Sequence, residues 1–183
     1  MGIVAVCLAP GFEEIEAVGI IDILRRAGLD VRIAAVGGGL SVRGSHGISM
    51  TADLAVESLT VASLDAVILP GGMPGSATLA ASQPVLELLR QVHRRGGIAA
   101  AICAAPLALH AAGLLNDRRY TCFPGVQDRM NPVCWTGAVV ECDERIVTGK
   151  AAGSVFEFAL LLVSLLKDAR TAETLRQGMC IPG

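Results

Sequence analysis

"GGIAAAICAAPLAL", residues Gly96 to Leu109, sets one cysteine at the junction of two apolar patterns. Up to Ile102 the run is continuous, small and apolar, as in a strand buried on both faces. Beyond Cys103 the spacing turns helical, and Pro106 suits the first turn of a helix. A strand that bends sharply into a helix lifts the residue at the bend above the sheet, the geometry of a nucleophile elbow. A helix N-terminus behind the bend favours thiolate and is expected to lower the thiol's pKa. The competing reading is an inert buried cysteine, the common fate of this residue type.

Working outward, the same switch of period recurs along the chain. "IVAVCLA" (3–9), "DVRIAAV" (30–36) and "LDAVILPGG" (64–72) read as buried strands. Helical spacing is read over 13–28, 84–96, 105–115 and 154–168, with a last turn or two over 171–179. "LSVRGSHGISM" (40–50) and "AVVECDERIVTG" (138–149) read as hairpins, and "RYTCF" (119–123) as a further strand. No repeat or linker interrupts the pattern, so residues 1–183 are read as one domain. Alternating strands and helices imply a parallel sheet covered by helices on both faces. Ligands of such folds sit beyond the carboxyl ends of the strands at a switch in strand order. Three segments lie there: "APGFEEIE" (9–16), "PGGMPG" (70–75) and "CAAP" (103–106).

Composition removes several classes of function. Of 183 residues 52% are apolar and 17% charged, the balance of a chain with a large core rather than long disorder. The net charge is −2 and the cations are scattered, so nucleic acid is not an expected partner. The uncharged stretch 97–115 is long enough to raise a membrane span, but its alanines and glycines, with Pro106 and His110, read better as strand plus helix. The first residues lack a positively charged leader. A cytoplasmic protein with no membrane partner is therefore expected. Six cysteines without C-x-x-C spacing and only three histidines give no metal-ligand pattern, so neither metal nor cofactor is expected.

Three groups join Cys103 as candidates. Backbone N–H groups of Gly72 and Ala104 are placed to form an anion or oxyanion site. Glu13 and Glu14 complement the positive end of the first helix. Glu16 is read as facing inward, where desolvation raises a carboxyl's pKa and lets it share a proton with a thiolate.

Together, "CLAPGFEEIEAV" (7–18), "DAVILPGG" (65–72), "AAICAAPLAL" (100–109) and "GSVFEFALLLVSLL" (153–166) resemble the ThiJ/PfpI superfamily, in the branch holding YajL and the Parkinson-disease protein deglycase. The resemblance implies a flavodoxin-like three-layer α/β sandwich, a homodimer, and an oxidation-prone cysteine contacted by a protonated glutamate. Those residues fall on Cys103 and Glu16, with Gly72 and Ala104 as backbone donors. Peptidase-like members carry a histidine after the cysteine; here Ala104 stands there, which disfavours amidase or peptidase chemistry. The deglycase-type histidine matches Phe123, as in YajL-like members. His46 stands where relatives tend to have an arginine near the site and dimer interface, and Lys150 matches a position near the pocket mouth. The resemblance implies a stress-response protein whose Cys103 adds to small reactive carbonyls or glycated adducts, assisted by Glu16. The alternative is a redox sensor or chaperone whose Cys103 is reversibly oxidised without turnover.

Overall fold

The computed structural model describes residues 2–130 and 132–182. Its strands, in chain order, are β1 (Ile3–Leu8), β2 (Asp30–Ala35), β3 (Ser41–Arg43), β4 (Ser49–Thr51), β5 (Leu54–Ala55), β6 (Leu64–Leu69), β7 (Ile98–Ile102), β8 (Val140–Asp143) and β9 (Ile146–Gly149). Seven of them form one sheet in the order β5-β2-β1-β6-β7-β9-β8, and β3 with β4 makes a separate hairpin. Within the seven-stranded sheet, among the described residues, only the edge strand β8 runs antiparallel to its neighbour. In β1, β6 and β7 most side chains are buried, which is why their sequences show no polar alternation.

Among the described residues six helices cover the sheet: α1 (Glu14–Arg26), α2 (Gly75–Ala81), α3 (Gln83–Arg94), α4 (Pro106–Ala111), α5 (Val155–Leu166) and α6 (Ala169–Gly178). One face carries α1, α5 and α6 around Ile20, Leu24, Phe158 and Leu162. The other carries α2, α3 and α4 around Leu79, Val85, Leu89 and Leu109. This is the expected flavodoxin-like three-layer sandwich. The chain leaves β1 outward to β2 and returns to β6 on the other side of β1. The loops after β1, β6 and β7 therefore meet at one end of the sheet.

Several local readings change. Residues 119–123 form no strand: Tyr120 makes one isolated bridge to Trp135. A ladder cannot continue because the Thr121 N–H goes to Thr148 Oγ1 at 2.8 Å and the Thr121 hydroxyl to the Ala138 carbonyl at 2.7 Å. The helix after Cys103 closes at Ala111 instead of reaching residue 115. On α1 the buried face is Glu16, Ala17, Ile20, Ile21, Ile23 and Leu24, while Ile15 and Val18 point outward, 61% and 49% exposed. Helix α2 was not read from the sequence, because "GSATLAA" has neither a cap signal nor a clear apolar stripe. Among the described residues no helix is long and apolar enough to cross a membrane.

Candidate active site

Cys103 occupies the bend between β7 and α4, with φ of +63°. A side chain in this left-handed region costs on the order of 1–3 kcal/mol unless its surroundings hold it. They do: the Cys103 N–H donates to the Gly149 carbonyl at 2.9 Å, and its own carbonyl accepts from the Phe123 N–H at 2.8 Å. Both bonds come from segments far along the chain. The thiol is half-buried, and the next two residues, Ala104 and Ala105, are buried.

Glu16, on the inner face of α1, is fully buried. Its Oε2 accepts the Gly71 N–H at 2.7 Å, while Oε1 is sealed from solvent without a protein hydrogen-bond partner. The Cys103 thiol lies within hydrogen-bonding reach of this carboxyl. Gly71 makes the approach possible. A Cβ built there would stand 2.6 Å from Cys103 Cβ and 2.8 Å from Glu16 Oε2, closer than side chains pack. Its neighbour Gly72 has φ of +91° and lies against the backbone of Gly11, Phe12 and Glu13. The N–H groups of Gly72 and Ala104 both reach the Cys103 sulfur. Glu13 ties the layers together, donating its N–H to the Gly71 carbonyl at 2.8 Å.

Burial pushes the Glu16 carboxyl up to about 7, against the opposing pull of the Gly71 N–H and Cys103, and the nearby Glu13 carboxylate adds to the rise. Burial also pushes the Cys103 thiol up to about 12, with the Glu16 charge next in size; the Gly72 and Ala104 N–H groups only partly offset this. Against the helix-dipole expectation of a lowered thiol pKa stand burial and the Glu16 charge, and helix α4 has only six residues. The two groups titrate as a pair: above the Glu16 titration at about 7 they hold one proton and one negative charge between them. A thiolate is reached by passing the thiol proton to Glu16, with Gly72 and Ala104 donating to the sulfur.

The remaining candidates sit around this centre. His46, in the β3–β4 turn, is 69% exposed on its side chain. Its Nδ1 lies 3.0 Å from Glu14 Oε2 and 3.6 Å from Glu13 Oε2, and its N–H donates to Glu14 Oε1 at 2.7 Å. Phe123 is half-exposed and joined to the elbow through its backbone. Lys150 follows Gly149, but its ammonium donates to the Gly137 carbonyl at 3.1 Å and is engaged there. Glu13, Glu14 and His46 offer ligand-type atoms within 4.8 Å of one another. Ser45 Oγ occupies their midst, 3.4, 3.2 and 3.1 Å from the three, so a hydroxyl closes this cluster. A hollow of about 280 Å³ lined by Asp65, Arg95 and Arg145 opens at the N-terminal ends of β6 and β7, away from the thiol. Sequence reasoning missed Gly71 and the Ser45–Glu14 network; the doubled glycine after β6 was the only trace of the first.

A strained cysteine paired with a buried glutamate at a strand-order switch defines a class of α/β sandwich, and the chain belongs to the DJ-1/PfpI family, whose profile matches residues 3–165. It is 39% identical over 166 residues to Protein DJ-1 homolog B of Arabidopsis thaliana, covering 89% of this chain and 38% of that protein. It thus spans about two-fifths of that relative's length. It is 36% identical over 180 residues to the Parkinson disease protein 7 homolog of Danio rerio, covering 96% of this chain and 95% of the relative. The glutathione-independent glyoxalase DJR-1.2 of Caenorhabditis elegans is 33% identical over 171 residues, with 92% and 90% covered. Among solved structures, the C103A mutant of a DJ-1 superfamily protein from Salmonella typhimurium superposes with a TM-score of 0.94 at 38% identity, all of both chains being covered.

Proposed function

We propose that this chain is a cysteine-dependent stress-response protein that acts on small reactive carbonyls. The observation that carries the reading is the buried Glu16 carboxyl, one oxygen held by Gly71 and the other unpaired, beside a thiol held at a left-handed bend. Glu16 takes the thiol proton, and the thiolate sulfur bonds to the aldehyde carbon of a compound such as methylglyoxal. The carbonyl π electrons move to oxygen, which regains the proton and gives a hemithioacetal. As sulfur loses its charge, the Gly72 and Ala104 N–H groups become free to hold the neighbouring oxyanion. Glu16 then moves the hydrogen on carbon through an enediol to the adjacent carbon, leaving a thioester that water hydrolyses to lactate and thiol. The relative named a glutathione-independent glyoxalase supports this chemistry.

Lactate formation from methylglyoxal tests it. Cys103→Ser should lower the rate at least about 10³-fold, and Glu16→Ala by about 10²- to 10⁴-fold, the usual range for losing a general acid–base group. Wild type no faster than either variant overturns the reading. A sensor role is the second reading, favoured by Phe123 at the bend instead of an imidazole, which leaves the thiol without a histidine base. Mild peroxide followed by intact mass then becomes decisive: one stable oxidation, confined to Cys103 and without aldehyde turnover, selects the sensor.

Pairing of two copies belongs to the same proposal. Ile15, Val18, Ile48 and Phe156, between 43% and 61% exposed, surround one shallow apolar hollow on α1 and α5. A cluster of this kind is unusual on a free surface. Sedimentation should give a dimer for the wild type and a monomer for Val18→Asp; identical mass for both removes this face as the interface.

A further inference from the structure

Two hydrogen bonds hold Cys103 in its left-handed conformation, and both lead to the same pair of threonines. The Cys103 N–H donates at 2.9 Å to the carbonyl of Gly149, the last residue of β9, and the Cys103 carbonyl accepts the Phe123 N–H at 2.8 Å. Thr148, directly before Gly149, is buried. Its Oγ1 accepts at 2.8 Å the N–H of Thr121, which lies two residues before Phe123. These three bonds close a ring: Cys103 to Gly149, Thr148 to Thr121, and Phe123 back to Cys103. Two of the bonds are main chain to main chain, so the Thr148 hydroxyl is the one side-chain group in the ring. One half of the ring is fixed by the sheet, where Thr148 stands opposite Ala101 and Gly149 opposite Ile102. The other half is not, because residues 121–123 belong to no strand. The distance of Phe123 from the bend is therefore set by the bond between the two threonines.

We infer that Thr148 is a positioning residue for the thiol: by holding Thr121, its hydroxyl keeps the Phe123 N–H on the Cys103 carbonyl and the sulfur beside Glu16. This rests on the reading of Cys103 and Glu16 as a pair that shares a proton. A φ of +63° persists only while the surroundings hold the residue at both ends. Without the Thr148 hydroxyl the buried Thr121 N–H has no acceptor, and a stranded donor is costly enough to move a segment that no ladder holds. Phe123 shifts with it and the Cys103 carbonyl loses its donor. Cys103 then relaxes toward an ordinary φ, which swings the sulfur away from Glu16 and from the Gly72 and Ala104 N–H groups. The Thr121 hydroxyl lies outside the ring, donating to the Ala138 carbonyl at 2.7 Å. Its removal deletes a hydrogen bond of similar length and leaves all three bonds of the ring in place.

The pH dependence of Cys103 alkylation by iodoacetamide, located by peptide mass, tests this without requiring carbonyl turnover. Glu16 takes the thiol proton only when ionised, so the wild-type rate should rise in a step as pH passes about 7. The groups that bear on this step are Glu16, Cys103, the Glu13 carboxylate and the N–H groups of Gly71, Gly72 and Ala104, and none of the variants replaces them. Thr148→Val should lower the rate above the step by about tenfold, the scale of releasing one left-handed residue. Thr148→Ser keeps the hydroxyl and should keep the step. Thr121→Val should unfold at a lower temperature than wild type yet keep the step, which separates positioning from stability. A step that survives in Thr148→Val, or one that is lost in Thr148→Ser or equally in Thr121→Val, overturns the inference and leaves the pairing of Cys103 with Glu16 standing. A wild type without the step overturns that pairing, and the inference with it.

Discussion

Glu14 and Glu16 lie two residues apart on the first turn of α1, both buried, yet their environments drive them in opposite directions. Burial disfavours the charge of Glu14, but the His46 side chain and the N–H groups of His46 and Ile48 outweigh it and hold the carboxyl at about 2. Glu16 has one N–H, from Gly71, and burial carries it to about 7. The first is a structural anion that staples the β3–β4 hairpin to the helix. The second is a proton store beside a thiol. Burial alone does not decide what a carboxyl becomes; the number of donors aimed at it does.

Removing the staple should give the larger effect. Glu14→Ala strands the N–H groups of His46 and Ile48 and leaves Gly44 packed against a void. A loss of about 2–4 kcal/mol is expected, since each stranded donor costs on the order of 1–3 kcal/mol. In a protein of this size that lowers Tm by roughly 5–12 °C. Because its folded pKa is depressed, Glu14 stabilises the wild type above its unfolded value of 4.5, and that contribution fades as pH falls toward about 2. Urea unfolding between pH 2 and 6 checks both; a variant as stable as wild type at pH 6 would erase the contrast between the two glutamates.

Glu16→Gln should act with the opposite sign and a smaller size. Its carboxyl ionises near 4.5 when unfolded and about 7 when folded, so the unfolded chain binds fewer protons across that window. Native stability therefore falls as pH rises from 4.5 to 7 and stays reduced above it. The neutral amide escapes this penalty, and the variant is expected to gain about 1–3 kcal/mol over wild type at pH 8 and nothing at pH 4. Denaturant midpoints at the two pH values measure it, and a loss at pH 8 would mean that the Glu16 charge is better solvated than its burial implies.

Much of this was legible in the chain. The alternation of strands and helices follows from apolar runs separated by helical stretches, and Cys103 was placed at its bend by a change of period at one residue. The strand expected at 119–123 failed because Thr121 gives its backbone and hydroxyl to Thr148 and Ala138, partners that no local pattern announces. The thiol's surroundings were legible only in part: Pro106 marks a helix start and Glu16 was read as the thiol's inward-facing partner, but the sequence does not state how short that helix is or how far the thiol is buried.

What the sequence determined by itself was the periodicity of burial, hence the layers and the three loops expected at the carboxyl ends of the strands. Such periodicity is local, written in neighbours a few residues apart. The sequence already set Glu16 apart as the inward-facing carboxyl; only the tertiary structure decided that Glu14, two residues before it, became a staple. Gly71 reaches Glu16 across 55 residues of chain and His46 reaches Glu14 across 32, and a carboxyl's proton affinity is set by the groups that surround it after folding.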